Sequence, residues 1–208
     1  WRENSKDFHQ LPQNIVWRDG EKIIASGERP LKKIIENIPS PYLSGYLDEF
    51  LDAGMIPMFE SNRGCPYLCT FCAWGSAAKN KVSRFELDTT LAEVDYVGQR
   101  TQAKNWIFCD ANFGILPRDI EIAKAIRRVR NTTGYPHKCH IWLAKNVTER
   151  NIEIGEILGD MIIVFMSVQS LNEQVLENIK RSNISLDTYV EYHNKFRNIG
   201  SDTFSELI

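Results

Sequence analysis

From Gly54 onward, apolar positions alternate between two rhythms. Short apolar-rich runs at Met55 to Ser61, Trp106 to Cys109, His140 to Leu143 and Met161 to Val168 have the length and flanking residues of buried strands. Between them, apolar residues recur at helical spacing. Leu87, Leu91, Val94 and Val97 share one face of a helix that Asp88 would cap and that ends near Gly98. Ile122, Ile126 and Val129 share a face of a second helix, opened by Pro117 and stopped by Gly134. Thr148 to Leu158 reads as a third. Asn172 is placed to cap a fourth, with Val175, Leu176 and Ile179 turned inward, and Leu186 to Arg197 forms a fifth. Ser201 to Ile208 opens a further strand. Strands alternating with helices predict an α/β fold with a parallel sheet, because each right-handed crossover lays its helix over the strands it joins.

Ahead of Gly54 the rhythm is different. Pro12, Gly20, Gly27, Pro30, Pro39, Pro41 and Gly45 interrupt the chain before a long helical period develops, so residues 1–54 read as a connector and 55–208 as the folded core. Within the connector, Lys22 to Ala25 is a short strand and Tyr42 to Asp52 a short helix.

Composition narrows the picture by exclusion. With 208 residues, 43% apolar and 25% charged, the chain fills one or at most two cores. A net charge of -2 offers no broad cationic surface, so no nucleic acid partner is indicated. The longest apolar run, Met161 to Met166, is six residues, far short of the roughly 20 a spanning helix needs, and no membrane role is expected. The opening Trp1 to Gln10 is polar, without the apolar core of a secretory signal, and the chain reads as an excerpt of something longer. Five cysteines are too few for a disulfide scaffold. A cluster of free thiols is expected in a reducing cytoplasm.

Three of those cysteines carry the chemistry. In Arg63-Gly64-Cys65-Pro66-Tyr67-Leu68-Cys69-Thr70-Phe71-Cys72, three thiols lie on one short loop directly after a strand. Three thiolates on an iron–sulfur cube leave one iron open to a small molecule, unlike a closed four-cysteine electron carrier. Two other readings compete. One is a structural zinc knot completed by a fourth ligand, for which Cys109 and His9 are the nominal candidates, but the paired spacing of zinc ribbons is missing. The other is three buried structural thiols, which fits poorly with a loop flanked by Gly and Pro.

The spacing Cys-x3-Cys-x2-Cys, with Phe71 just before the third cysteine, resembles the signature of the radical S-adenosylmethionine (radical SAM) superfamily. The resemblance implies a partial (β/α)6 TIM-type barrel, here truncated and preceded by an N-terminal linker segment, with Cys65, Cys69 and Cys72 holding a 4Fe–4S cluster. The open iron would chelate S-adenosylmethionine, and reductive cleavage would yield a 5′-deoxyadenosyl radical for C–H activation. By the same resemblance, Asp110, Asn112, Phe113 and Gly114 stand where the family orients the amino group of S-adenosylmethionine, in a loop read as following the second strand. On local sequence alone they would be an Asp-Asn turn between strand and helix. Gln169 and Ser170, at the mouth of the fourth strand, are implied cofactor contacts. Arg181 is an implied partner of the cofactor's carboxylate, which a guanidinium suits, although a solvated charge beyond a helix explains it equally well. Lys145 and Asn146 follow the third strand and are weaker candidates. Cys109, Cys139, His137 and His140 read as core or surface residues. Trp74 and Gly75 read as packing over the cluster.

Ile38-Pro39-Ser40-Pro41-Tyr42-Leu43-Ser44-Gly45, the Glu60 to Pro66 stretch and Cys72-Ala73-Trp74-Gly75-Ser76 together look like the cobalamin-binding branch. That likeness implies an N-terminal cobalamin domain and further barrel strands outside this sequence, with cobalamin a cofactor of the full-length parent. Methyl transfer to carbon is the outcome typical of such relatives. The implied partners are a small-molecule or peptide substrate and an electron donor such as flavodoxin or ferredoxin. The rival functions are an iron–sulfur electron-transfer module that does not use S-adenosylmethionine and a zinc-stabilised interaction domain.

Overall fold

The computed structural model describes residues 13–27, 35, 38–75, 81–146 and 149–207. The chain divides into two compact units, Trp1–Lys32 and Lys33–Ile208. In the first, β1 (Val16–Asp19) and β2 (Lys22–Ala25) form an antiparallel hairpin with Val16 opposite Ala25. Its turn places Gly20 at φ +59, a conformation that favours glycine. Only β2 was legible as a strand, because β1 carries Arg18 and Asp19 in its short length.

The second unit is built on a five-stranded sheet in the order β3 (Met58–Phe59), β6 (Asn105–Phe113), β7 (Lys138–Leu143), β8 (Ile162–Phe165) and β9 (Asp202–Phe204). All four pairings are parallel, as the alternating pattern predicts. The connections carry α2 (Leu87–Gly98), α3 (Asp119–Thr133), α4 (Glu149–Leu158), α5 (Glu173–Asn178) and α6 (Leu186–Asn198). The strands alternate in burial, and Trp106, Phe108, Ile141 and Val164 turn toward a core shared with Val94, Ile122, Ile126, Ile154 and Phe196 of the helices. Two helix pairs close at glycines: a Cβ on Gly98 of α2 would meet Val129 of α3, and one on Gly155 of α4 would meet Phe196 of α6.

The compact unit takes in part of the stretch read as connector. Tyr42 and Leu51 are core residues, and α1 is the short Asp48–Asp52. Tyr42 stacks beside Phe59 with ring centroids 5.5 Å apart. Its hydroxyl accepts from the Met58 N–H at 2.9 Å and donates to the Met58 carbonyl at 2.8 Å, satisfying backbone groups on the edge strand β3.

Other boundaries moved for local reasons. The run from Met55 to Ser61 yields only the two-residue β3. The chain then turns away from the sheet into β4 (Asn62–Arg63), which pairs antiparallel with β5 (Ser83–Arg84). The helix expected to be capped by Asp88 has Glu86 at its N-cap, and Asp88 lies in its first turn, where a carboxylate suits the helix dipole. Pro117 sits two residues ahead of α3, whose end is marked by Gly134 at φ +84, as expected. Asn172 does cap α5, accepting from the Val175 N–H at 3.1 Å. However, none of the α5 residues is buried, so Val175 and Leu176 are not core positions. The run from Met161 to Val168 is a strand only over Ile162–Phe165, and the tail from Ser201 supplies β9.

Asp110, Asn112 and Phe113, expected in a loop after a strand ending at Cys109, belong instead to β6, whose register shifts between Phe108 and Phe113. The irregularity lets a long strand carry polar side chains at its C-terminal end.

Candidate functional site

In a parallel sheet every strand ends at the same edge, so the loops after β6, β7, β8 and β9 converge there. The cysteine segment lies at that edge as well. Its neck is closed by the β4–β5 ladder, with Asn62 opposite Arg84 and Arg63 opposite Ser83. Gly64 at φ +105 turns the chain out of β4 in a conformation a side chain would strain. The Cys72 N–H donates to the Cys69 carbonyl at 3.1 Å, a turn that brings the two cysteines together. The Thr70 N–H donates to the Ile179 carbonyl at 3.0 Å, fastening the loop beyond α5.

Asp110 anchors this neck from below. One carboxylate oxygen accepts from the N–H groups of Ser61 at 2.8 Å and Asn62 at 2.7 Å, and the other accepts from the Ser61 hydroxyl at 2.7 Å. Burial drives its pKa up to about 7, against the pull of those donors and with a further push from Asp119. Arg118 clamps the same neck, donating to the carbonyls of Ser61 at 2.6 Å and Phe85 at 2.5 Å. Its guanidinium pKa is lowered by burial.

Cys65, Cys69 and Cys72 line one cavity at this edge, together with Asn112, Gln169 and Arg181. All five cysteines are free thiols. The Asn112 amide donates to Cys65 Sγ at 3.1 Å, and Lys145 Nζ donates to Cys69 Sγ at 3.4 Å while lying 3.9 Å from the Tyr67 ring centroid. On the opposite wall Gln169 is buried with φ +64, held by its N–H on the Glu206 carbonyl at 2.9 Å. A non-glycine residue in that region is strained, and such strain gathers at binding sites. Glu206 accepts from the Ser167 hydroxyl at 2.6 Å and the Gln169 amide at 3.4 Å. The Arg181 guanidinium lines the cavity while donating to Asn183 at 2.8 Å and to the Ser167 carbonyl. The floor is aromatic: Trp142 of β7 stacks on Phe165 of β8 at 5.9 Å, and Phe165 on Phe204 of β9 at 5.8 Å.

Four residues expected at the cofactor do not line this cavity. Asp110 holds the loop neck as described. Phe113 is fully buried in the core, with its ring edge-on to Phe108 at 5.6 Å. Gly114, at φ +89, makes a close approach, but to α4: an added Cβ would lie 2.2 Å from Asn151 Oδ1. Ser170 uses its hydroxyl to accept from the Asn172 N–H at 3.2 Å, at the start of α5. Conversely, Glu206, Trp142 and Phe165 line the cavity and were not singled out from sequence. Glu206 lies two positions beyond the end of β9 at Phe204, outside the strand, so no period in the sequence points to it. Cys139 is wholly buried, with its thiol pushed up to about 12 by burial, in keeping with a core role.

The donor set fits a cluster. Three cysteines face one cavity, two of their sulfurs accept N–H hydrogen bonds, and no histidine is among the described residues that line it. Among the described residues no three His, Cys, Asp or Glu side chains are arranged to hold a single metal ion. A cube asks for a wider arrangement, with each thiolate on its own iron.

The profile of the Radical SAM superfamily matches residues 59–208. The cobalamin-dependent radical SAM methyltransferase TokK of Streptomyces tokunonensis is 35% identical over 211 residues, covering 97% of this chain and 31% of that protein. The 2-(S-pantetheinyl)-carbapenam-3-carboxylate methyltransferase of Streptantibioticus cattleyicolor is likewise 35% identical, with the same coverage. The chain thus spans about a third of the length of these curated relatives. Among solved structures, the cobalamin-dependent S-adenosylmethionine radical enzyme OxsB with aqua-cobalamin bound superposes with a TM-score of 0.67 at 17% identity, over 94% of this chain and 29% of that one. That likeness shows the fold, a partial barrel of parallel strands and covering helices. The cysteine spacing, the sheet order and the profile match over the whole core agree: this chain belongs to the radical SAM superfamily.

Proposed function

We propose that the full-length protein is a cobalamin-dependent radical SAM methyltransferase, acting on a small molecule in the cytoplasm and reduced by a flavodoxin or ferredoxin. The observation that carries this reading is the single cavity in which Cys65, Cys69 and Cys72 face Asn112, Gln169 and Arg181 across an aromatic floor. The branch rests on the 35% identity to two methyltransferases, one of them named as cobalamin-dependent.

In this reading the three thiolates hold a 4Fe–4S cluster. When bound, such a cluster would offer an open iron to the amino acid end of S-adenosylmethionine and an electron for cleaving its sulfonium C–S bond, the chemistry from which C–H activation starts. The chain's own residues supply geometry and field. Asp110 and Arg118 fix the neck of the loop, so that the cysteines present their sulfurs at the strand ends. Arg181, with two nitrogens already committed to Ser167 and Asn183, is held rigid and offers the charge for a carboxylate. Gln169 and Glu206 offer an amide and a carboxylate to polar groups of the nucleoside, and Trp142 and Phe165 offer apolar surface that excludes water.

The test is a Cys69→Ala variant of the full-length protein after anaerobic reconstitution. The expected outcome is loss of the cluster and of all 5′-deoxyadenosine formation, while the wild type also forms S-adenosylhomocysteine when cobalamin is added. Either activity or iron retained at the wild-type level in the variant contradicts the ligand assignment.

A further inference from the structure

We propose that Lys145 and Asn112 are positioning residues for the cluster, holding the Cys69 and Cys65 sulfurs by N–H···S hydrogen bonds and thereby setting the cluster's reduction potential. The proposal rests on the cluster reading above and assigns roles to two side chains, one at the end of β6 and one just past β7.

The geometry is specific. Asn112 is 4% exposed near the end of β6, and its amide nitrogen stands 3.1 Å from Cys65 Sγ. Lys145 follows β7, just past Ala144, whose N–H is pinned to the Phe113 carbonyl at 2.8 Å. Its ammonium lies 3.4 Å from Cys69 Sγ, in a part-buried contact in which Cys69 itself is 6% exposed. The Tyr67 ring, midway in sequence between the two cysteines, receives the same ammonium at 3.9 Å. That contact fixes the lysine's direction and ties its position to the loop that carries the sulfurs. Among the described residues, the other cation lining the cavity is Arg181, which donates to Asn183 and Ser167.

The consequence follows from charge. One-electron reduction adds a negative charge to a cluster that is already anionic through its thiolates. A nearby ammonium and an N–H donor on the sulfurs stabilise the reduced form more than the oxidised one, which raises the potential. Without them the cluster would be harder to reduce by a physiological donor.

The experiment is an EPR-monitored redox titration of the anaerobically reconstituted full-length protein in the absence of S-adenosylmethionine, with iron and sulfide counted in each sample. Lys145→Met should keep the iron content of the wild type and move the midpoint to a more negative potential. At a fixed potential near the wild-type midpoint, the ratio of reduced to oxidised cluster should fall at least tenfold, which for one electron is about 59 mV. Lys145→Arg should restore most of the shift, and Asn112→Leu should move the midpoint in the same direction by a smaller amount. If Lys145→Met loses iron, Asn112→Leu carries the test. An intact cluster with an unmoved midpoint in the variants overturns the assignment, as does a variant that loses only affinity for S-adenosylmethionine. A wild-type protein that binds no iron overturns the cluster reading itself, and this proposal with it.

Discussion

Asp110 shows how far a residue's chemistry depends on where its strand ends. In the sequence it stands next to Ala111 and Asn112 downstream of the cysteines, which suggests contact with a cofactor. Alternation alone would put Asp110 and Asn112, two positions apart, on one face, yet in the structure Asn112 lines the cavity while Asp110 holds the buried neck of the cysteine loop. Nothing in a single sequence reports the register irregularity in β6 that decides this. Its burial gives a pH signature. The folded-state pKa of about 7 lies above the ordinary carboxyl value of 3.8, so the folded protein holds a proton that the unfolded chain releases. Stability from this group is therefore fully present below pH 3.8 and is lost as pH rises from there through about 7, by at most about 1.4 kcal/mol per pH unit. Asp119, raised by burial to about 6, acts in the same direction but only at lower pH. Between pH 6 and 7 the slope belongs chiefly to Asp110. In Asp110→Asn, Ser61 can turn its hydroxyl to accept from the new amide, so the fold should persist while the urea midpoint becomes flat from pH 6 to 7. An unchanged slope in the variant would assign the effect elsewhere.

At the scale of elements, most of what the sequence displays is helical period and punctuation, and both were largely readable. The caps at Asn172 and the stop at Gly134 were legible because each has a local physical cause, a side-chain acceptor and a left-handed backbone. β3 falls inside the run read as a strand, whereas the two-residue β4 and β5 were not legible, since the backbone around them is held by Asp110 and Arg118. The seam between helices was hidden as well. Gly155 reads as an indifferent helix position, yet a Cβ there would lie 2.5 Å from Phe196 Cε1 and 3.1 Å from Ile199 Cδ1. Gly155→Ala gains up to about 1 kcal/mol in helix propensity but forces a fully buried ring to move, at a cost of about 1–3 kcal/mol. The expected net effect is a loss of about 1 kcal/mol, lowering the melting temperature by about 2–4 °C. A raised melting temperature would show that α4 and α6 can separate without loss.

At the scale of the molecule, five parallel strands in sequence order bring side chains from across more than 140 residues of chain to one edge. The cysteines, their spacing and the strand–helix alternation were enough to anticipate this arrangement, because three thiols on one short loop leave a local signature. Glu206 and the ladder Trp142, Phe165 and Phe204 were not anticipated, since only the sheet makes them neighbours. Among the described residues no helix is long and apolar enough to cross a membrane.

The central claim is that Cys65, Cys69 and Cys72 leave one iron of a cube open to S-adenosylmethionine. Its most direct test is the EPR spectrum of the reduced, reconstituted full-length protein recorded with and without that molecule. The account predicts a 4Fe–4S signal that changes on its addition. An identical spectrum in both samples, or a protein containing zinc and no sulfide, would contradict it.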